Sequence, residues 1–477
     1  MSDPSNAYDF DVIIIGGGSA GYAAARTAHA AGVKTAVIEG GPEVGGLCIL
    51  RGCMPTKALL YAAEVRHLAR QGKVWGLQPG TVPFDWSSVM ARKNAQIKEF
   101  ADYRRQQLED GRFTFIRADA RFTDPHRIEL SDGRSISARF FIVCTGSEVA
   151  TPPLPQLAQS GFITSDEALT LKRPPKSLIV LGGGAVAVEF AQFFARFDVS
   201  VTLVQRSEQL LRDFDEDAAA VIADVFRREG IQLHTGTRLL DARRDGDEKV
   251  VTFEQGGKTV DVRAEEILLA LGRNPRTASL ALGNAGVSTK GLRIVTNDFM
   301  QTSVPHIYAA GDCTGPHEIV HVAIQQGEIA AHNVTQRERP RRMDYRLLLT
   351  VVFTDPQIGH VGLTQKAASA TGIPCLAASH PFNDHGKSLI MEARDGFVKL
   401  LAHVKTGEIL GGTCVGPVGG ELIHEIVAAM AKRMTVHELA AMPHYHPTLA
   451  EIWTYPAEEL AGCAEARPDD ANRSAGR

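Results

Sequence analysis

Short β-branched runs bounded by glycine recur along the chain, and two of them lead into alanine-rich stretches of helical period. Phe10 to Ile15 is the first run, the pattern of a parallel strand buried on both faces. It enters Gly16-Gly17-Gly18-Ser19-Ala20-Gly21, then a helical stretch from Tyr22 to Ala31, a stop at Gly32, and a strand from Lys34 to Ile38 that ends at Glu39. The order returns at Ser177 to Leu181, followed by Gly182-Gly183-Gly184-Ala185-Val186-Ala187, a helix to about Arg196 and a strand from Val199 to Val204. Farther on the pattern changes. Phe397 to Ala402 and Ile409 to Val415 read as strands, and Glu421 to Met434 as an amphipathic helix. The apolar runs are far too short to span a bilayer. The pattern predicts an α/β protein with two Rossmann-like units and a C-terminal unit of different build.

Strand, G-x-G-x-x-G, helix, strand and acid together make a dinucleotide-binding unit. The first glycine makes the turn, the second lets a pyrophosphate approach the backbone, and the third lets helix and strand pack closely. Gly16, Gly18, Ser19 and Gly21 are therefore candidate cofactor contacts. The helix N-terminus holds the phosphates, and Glu39 can accept hydrogen bonds from a ribose. In the second copy Gly182 and Gly184 keep their places, Ala187 replaces the third glycine, and no acid ends the strand. Gln205-Arg206 stands there instead, with Arg212 six residues on. A carboxylate repels a 2′-phosphate, whereas guanidinium groups pair with one. The second site is thus expected to prefer NADPH, with NADH still admissible; the plainer reading leaves both arginines as solvated surface charges. Two dinucleotide sites suggest FAD and a pyridine nucleotide. The first belongs to FAD, because its helix leads on to Cys48 and Cys53.

Those cysteines lie in Gly45-Gly46-Leu47-Cys48-Ile49-Leu50-Arg51-Gly52-Cys53-Met54-Pro55-Thr56-Lys57. Their spacing is one that a helical turn and its start can close. A dithiol beside a bound nucleotide suggests electron transfer through a reversible disulfide. Composition narrows the setting. A length of 477 residues implies two to four domains, and 45 glycines with 6% aromatics suit many tight strand-to-helix turns. A net charge of −4 gives no support to nucleic acid or an anionic membrane as partner. Seven cysteines, scattered apart from one pair, do not resemble a secreted disulfide scaffold. The N-terminus has no basic segment followed by an apolar one, so the chain reads as cytoplasmic. Cys144, Cys313, Cys375, Cys414 and Cys463 read as core or incidental. The Cys48–Cys53 spacing fits no common zinc pattern, and no metal is expected. The first half-dozen residues and the polar stretch from Ala464 to Arg477 read as disordered, with the tail proper at residues 466–477.

With these motifs in place, the chain resembles the class I pyridine nucleotide–disulfide oxidoreductases, which include dihydrolipoamide dehydrogenase, glutathione reductase and mercuric reductase. The resemblance covers roughly residues 8 to 460. The family's GGTC-x4-C-x-P-[ST]-K reads GGLCILRGCMPTK here. Thr145-Gly146-Ser147, Gly272-Arg273-Asn274-Pro275 and Ala309-Ala310-Gly311-Asp312 match segments that surround the flavin. Phe353-Thr354-Asp355-Pro356 opens the C-terminal unit, and His444-Tyr445-His446-Pro447-Thr448-Leu449-Ala450-Glu451 matches HPT-x-x-E in a form most like dihydrolipoamide dehydrogenase. The resemblance implies an FAD-binding domain at 8–150 and 272–342, an NAD(P)H-binding domain inserted at 151–271, and an α+β dimerisation domain at 343–465.

It also implies roles. Gly46, Lys57, Thr145, Gly146, Gly272, Arg273, Gly311 and Asp312 contact FAD or its surroundings, with Asp312 on the ribityl chain. Cys53 is the sulfur nearer the flavin, and Cys48 is the one that attacks a small disulfide substrate. Each exchange step needs a thiolate. His446 is the general acid–base, oriented by Glu451 and supplied by the other subunit of a homodimer, with His444 as the rival two residues away. Lys57 and Glu189 pair beside the nicotinamide site. Leu47 and Leu50 replace the family's usual Thr and Asn, Ala185 stands where several members carry an aromatic gate, and Arg26 matches a carboxylate-binding position of glutathione reductase. His446 and the tail, which lacks a cysteine pair, argue against mercuric ion. The leading expectation is an NADPH-dependent reductase of a small disulfide. The alternatives are an NAD-dependent dihydrolipoamide dehydrogenase and a non-catalytic, redox-responsive flavoprotein.

Overall fold

The computed structural model describes residues 8–78 and 80–463. The first half-dozen residues and the 466–477 tail, both read above as disordered, lie outside the described residues. β1 (Phe10–Ile15) is followed by α1 (Ser19–Ala30) and β2 (Thr35–Ile38). Next come α2 (Gly46–Leu50), α3 (Cys53–Gln71) and α4 (Trp86–Glu109). β3 (Thr114–Ile116), β4 (Ala120–Asp124), β5 (Arg127–Leu130) and β6 (Ser135–Val143) complete the first run. The sheet order is β3-β2-β1-β6, with Ile307–Ala309 paired in parallel on β6 and β5-β4 as an antiparallel extension. Val12, Ile13 and Ile14 of β1 are fully buried, as a strand covered on both faces requires.

α1 starts at Ser19, three residues before the expected Tyr22, so the fingerprint's own Ser-Ala-Gly forms the first helical turn. Its buried face is alanine and one glycine (Ala20, Gly21, Ala23, Ala24, Ala25, Ala28). Short side chains let it sit close to the sheet on one side and to the Val320–Thr335 helix on the other. A Cβ on Gly327 of that helix would meet the Ala20 carbonyl at 2.3 Å.

The second unit repeats the plan. Gln232–His234, Ser200–Val204, Ser177–Leu181 and Glu266–Leu269 form a four-stranded parallel sheet in that order, beside the Ala185–Arg196 helix and an antiparallel three-stranded meander. Ser147–Val149 and Arg273–Pro275 pair antiparallel, so the chain enters and leaves this unit through adjacent strands. The third unit is a five-stranded antiparallel sheet, ordered Leu349–Val352, Gln357–Gly362, Ile409–Gly416, Phe397–His403 and Cys375–Pro381. The Gly419–Ala431 helix packs on it through Ile423 and Ile426. That helix ends before the expected Met434, because Arg433 adopts a left-handed conformation with φ 52°.

Candidate active site

Gly16 turns β1 into α1 at φ +108°, and a Cβ there would strike the Cys144 carbonyl at 2.3 Å. A Cβ on Gly21 would lie 1.8 Å from the Gly16 carbonyl, so only glycine fits. Gly46, at φ +72°, faces Gly18; a Cβ on it would come within 2.6 Å of the Gly18 Cα. These bare backbones make a cradle that side chains would fill. Gly18 caps α1 with no side-chain hydrogen bond, leaving the first helical N–H groups free for a phosphate. Glu39 accepts hydrogen bonds from the Gly17 N–H through Oε2 and the Gly41 N–H through Oε1, both at 2.8 Å. That fixes the carboxylate at the strand end and leaves lone pairs for a ribose.

Three separate motifs meet near this cradle. Ser147 Oγ donates to Asp312 Oδ2 at 2.6 Å, and Arg273 donates to Ser147 Oγ at 2.8 Å and to its carbonyl at 3.0 Å. Gly311 takes φ +78°, and its N–H donates to Gln326 Oε1 at 2.8 Å. Gly146 (φ +69°) and Gly272 (φ +110°) also need left-handed backbone. The Thr145 hydroxyl oxygen is buried with no hydrogen-bond partner among the described residues. An orphaned hydroxyl, an uncapped helix and a glycine cradle on one side of the sheet are what a bound FAD would complete.

Cys48 lies inside α2 and Cys53 opens α3, with Gly52 at the joint between them. Both are free thiols, half-buried, and hydrogen-bonded to each other. The two thiols titrate unequally. The Cys48 thiol donates to Cys53, which pulls Cys53 down to about 7 against the opposing effect of burial, and the Lys57 ammonium adds to the pull. Cys48 is pushed up, first because it is the donor of that bond and then by burial, with Arg104 and Lys57 opposing. The first proton leaves the pair as a unit, and it leaves a thiolate at Cys53. Cys48 therefore needs a base before it can act.

Lys57 Nζ donates to Glu189 Oε2 at 2.8 Å, joining α3 to the Ala185–Arg196 helix. Glu189 is 3% exposed; its Oε1 accepts from the Phe353 N–H at 3.0 Å, and the Lys57 ammonium sits 4.6 Å from the centre of the Phe353 ring. One carboxylate thus ties together the dithiol helix, the second unit and the start of the third. A buried charge so placed is costly to leave alone.

At the second cradle, Gly182 turns at φ +123° and Gly184 begins a helix with no side-chain cap, as Gly18 does. Ala187 is accommodated fully buried in the third-glycine place. Gln205 occupies the seat of Glu39: a Cβ on Gly183 would meet the Gln205 side chain at 2.8 Å, as one on Gly17 would meet Glu39 at 3.1 Å. The strand end is therefore neutral. Arg206 is exposed and forms no ion pair among the described residues; Arg212 is exposed too, 3.7 Å from Asp213.

His446 lies apart from the dithiol in its own chain's hydrogen-bond network. Its side chain is 79% exposed, next to Tyr445 at 83%. Its Nδ1 lies 2.9 and 3.1 Å from the two oxygens of Glu451, which is nearly buried, so the other ring nitrogen points away from Glu451. His444, the rival, is held by Glu425 at 2.7 Å and the Met442 carbonyl at 3.0 Å, with a side chain only 7% exposed. Both of its nitrogens are spoken for, which favours His446.

Other expectations meet simple outcomes. Arg26 is engaged by Glu328. Cys144, Cys313 and Cys414 are buried, and burial pushes the Cys313 thiol up to about 12. Sequence reasoning missed Arg104, whose guanidinium lies 4.1 Å from the Tyr22 ring centre and whose charge favours a Cys48 thiolate. It also missed His385, and it read Phe353 only as part of the opening of the C-terminal unit; both join the site through tertiary packing.

A family model described as pyridine nucleotide-disulphide oxidoreductase matches residues 10–327, and its dimerisation domain matches 348–457. Mercuric reductase of Staphylococcus aureus is 33% identical over 445 residues, spanning 93% of this chain and 81% of that protein. Dihydrolipoyl dehydrogenase of Chlamydia muridarum is 33% identical over 450 residues, spanning 93% and 95%. Among solved structures, the HOCl-induced flavoprotein disulfide reductase RclA of Escherichia coli superposes with a TM-score of 0.84 at 26% identity, covering 94% of this chain and 99% of that one.

Proposed function

The chain belongs to the pyridine nucleotide–disulphide oxidoreductases, FAD-dependent enzymes with a C-terminal dimerisation domain, and from that premise we propose that it carries electrons from NADPH to the Cys48–Cys53 pair and on to a small disulfide. The carrying observation is the dithiol itself: Cys48 and Cys53 hydrogen-bonded to each other, with Lys57 near them held by Glu189. Bound FAD would supply a two-electron relay between nicotinamide and dithiol. The residues to hold it are Gly16, Gly18, Ser19, Gly21, Glu39, Gly46, Thr145, Gly146, Gly272, Arg273, Gly311 and Asp312. Residues 8–150 with 272–342 form its domain, 151–271 that of the nucleotide, and 343–465 the dimer contact.

In the reductive half, the Cys48–Cys53 disulfide accepts two electrons and two protons, its S–S bond breaks, and it becomes the dithiol. His446 of the other subunit takes the proton from Cys48. The Cys48 thiolate attacks a substrate sulfur, forming one S–S bond as the substrate's own bond breaks, and His446 returns the proton to the departing thiolate. Cys53 then attacks Cys48, closing the protein disulfide and releasing the second thiol. The exposed His446, fixed at Nδ1 by Glu451, suits this role once a second copy brings it to the dithiol.

NADPH is favoured by the neutral Gln205 in the place of Glu39 and by unpaired Arg206 nearby. Replacing Arg206 and Arg212 together with alanine is expected to raise the KM for NADPH at least about tenfold, the loss of one or two charge-assisted contacts, with little change for NADH. Steady-state kinetics with both nucleotides decide it; a wild-type enzyme that uses NADH as well as NADPH would contradict the assignment. The second reading is dihydrolipoamide dehydrogenase running in reverse with NAD, which the HxHPTLxE form and the dihydrolipoyl dehydrogenase relatives support. A panel of disulfides assayed with each nucleotide separates the two. The family's members are enzymes, which leaves the non-catalytic reading without support.

A further inference from the structure

His385 is fully buried at the start of the short Gly386–Ile390 helix, yet it faces the carboxylate that orients His446. Its Nε2 lies 3.3 Å from Glu451 Oε1, and its Nδ1 lies 2.8 Å from Ser388 Oγ. Among the described residues, that buried nitrogen has no hydrogen-bond partner other than Glu451 within reach. Glu451 thus stands between two imidazoles: exposed His446, bonded at Nδ1, and enclosed His385. Resting on the acid–base role given above to His446, we propose that His385 is a positioning residue. It donates from Nε2–H to Glu451 and thereby sets the orientation and charge that Glu451 presents to His446.

The tautomer follows from the partners. An ionised carboxylate accepts only, so Nε2 must carry hydrogen to face Glu451 favourably. The Nδ1 lone pair then accepts from the Ser388 hydroxyl, which can donate. Protons run Ser388 → His385 → Glu451, and from the other side His446 → Glu451. This leaves His446 Nε2 with a bare lone pair, the form required to take a proton from Cys48. A neutral His385 is the form the site favours: burial opposes its charge first, and the nearby His380 and His446 add to that against the pull of Glu451. His380 stacks at 4.0 Å on Tyr455, whose ring edge meets His385, so Glu451, His446, His380, Tyr455 and Ser388 are the polar groups about it. Without His385, one lobe of a nearly buried carboxylate loses its partner. Its charge then falls on His446 alone, and the imidazolium is overstabilised.

The test uses the FAD-loaded dimer. His385→Phe keeps ring volume and removes both nitrogens; His385→Gln restores a donor near the Nε2 position; Ser388→Ala frees the tautomer. The expected result for His385→Phe is a fall in kcat for disulfide reduction of about 10- to 100-fold, the rate equivalent of one hydrogen bond to a charged group. The acid limb of its kcat/KM profile should move to higher pH. His385→Gln should recover most of the rate and return the limb toward its original position, and Ser388→Ala should shift the limb the same way by less. A folded His385→Phe enzyme with an unmoved limb, or a glutamine variant no better than phenylalanine, would overturn the proposal. If His385→Phe does not fold, the glutamine and Ser388→Ala profiles decide alone, and an unmoved limb in the latter counts against it. His446→Ala, measured in parallel, separates the two layers. Little effect there would defeat the parent reading, whereas a large effect there with none at His385 defeats only this one.

Discussion

Cys48→Ser should abolish disulfide reduction and leave NADPH-dependent bleaching of the flavin intact. Serine removes the sulfur that attacks the substrate, and its hydroxyl cannot form the mixed disulfide. Cys53 remains in place as the thiol nearer the flavin, still beside Lys57. In Cys48→Ala, which has no donor at that position, Cys53 would lose the hydrogen bond that most lowers its pKa, so its thiolate should form at a higher pH than in the wild-type pair. Anaerobic absorbance spectra with NADPH, followed by turnover assays, check both halves. Residual turnover at wild-type rate would remove Cys48 from the mechanism, and an unreducible flavin would mean the substitution had disturbed more than the relay.

The second large effect concerns His446. His446→Ala should lower disulfide turnover by about 10² to 10⁴, the usual contribution of a positioned acid–base, or roughly 3 to 5 kcal/mol of transition-state stabilisation. The proton held on Cys48 explains why the loss should be large: without a base, the attacking thiolate is the minority form of the pair. His446 also offers a test of assembly. If each site takes Cys48 from one subunit and His446 from the other, a mixed dimer of Cys48→Ser and His446→Ala subunits contains one intact site. Mixing two nearly inactive homodimers should then restore activity, up to about half the wild-type value per mixed dimer on site counting alone. No recovery in demonstrably mixed dimers would place both residues within one subunit. The family resemblance implies the intersubunit arrangement, and the exposure of His446 and Tyr445 agrees with it.

The parts legible in the sequence were those whose chemistry is local. Gly16 and Gly21 announce their turn because a Cβ at either would lie only 2.3 or 1.8 Å from a backbone carbonyl oxygen, a clearance no other residue type meets. Cys48 and Cys53 are close in sequence, and α2 with the start of α3 brings their thiols together. Lys57 and Glu189 are different. They lie on separate helices, and only the family resemblance suggested the 2.8 Å contact that packing provides. Gln205 could be counted to the position of Glu39, but its packing on Gly183 is a tertiary fact. His385 and Arg104 had no signature. A histidine buried under Glu451 and an arginine stacked on Tyr22 look in sequence like any surface histidine or helical arginine. The start of α1 was misplaced for a related reason: Gly18 serves as an extended cap, and the small residues after it already form helix.

The central claim is that electrons from the nucleotide reach the Cys48–Cys53 disulfide. It is tested most directly by counting thiols in the oxidised FAD-loaded enzyme before and after anaerobic addition of NADPH without substrate, with alkylated peptides identified by mass. The account predicts that two new thiols appear per subunit, at Cys48 and Cys53, while the other cysteines do not change. A flavin that is reduced while Cys48 and Cys53 stay oxidised, or new thiols elsewhere, would contradict it.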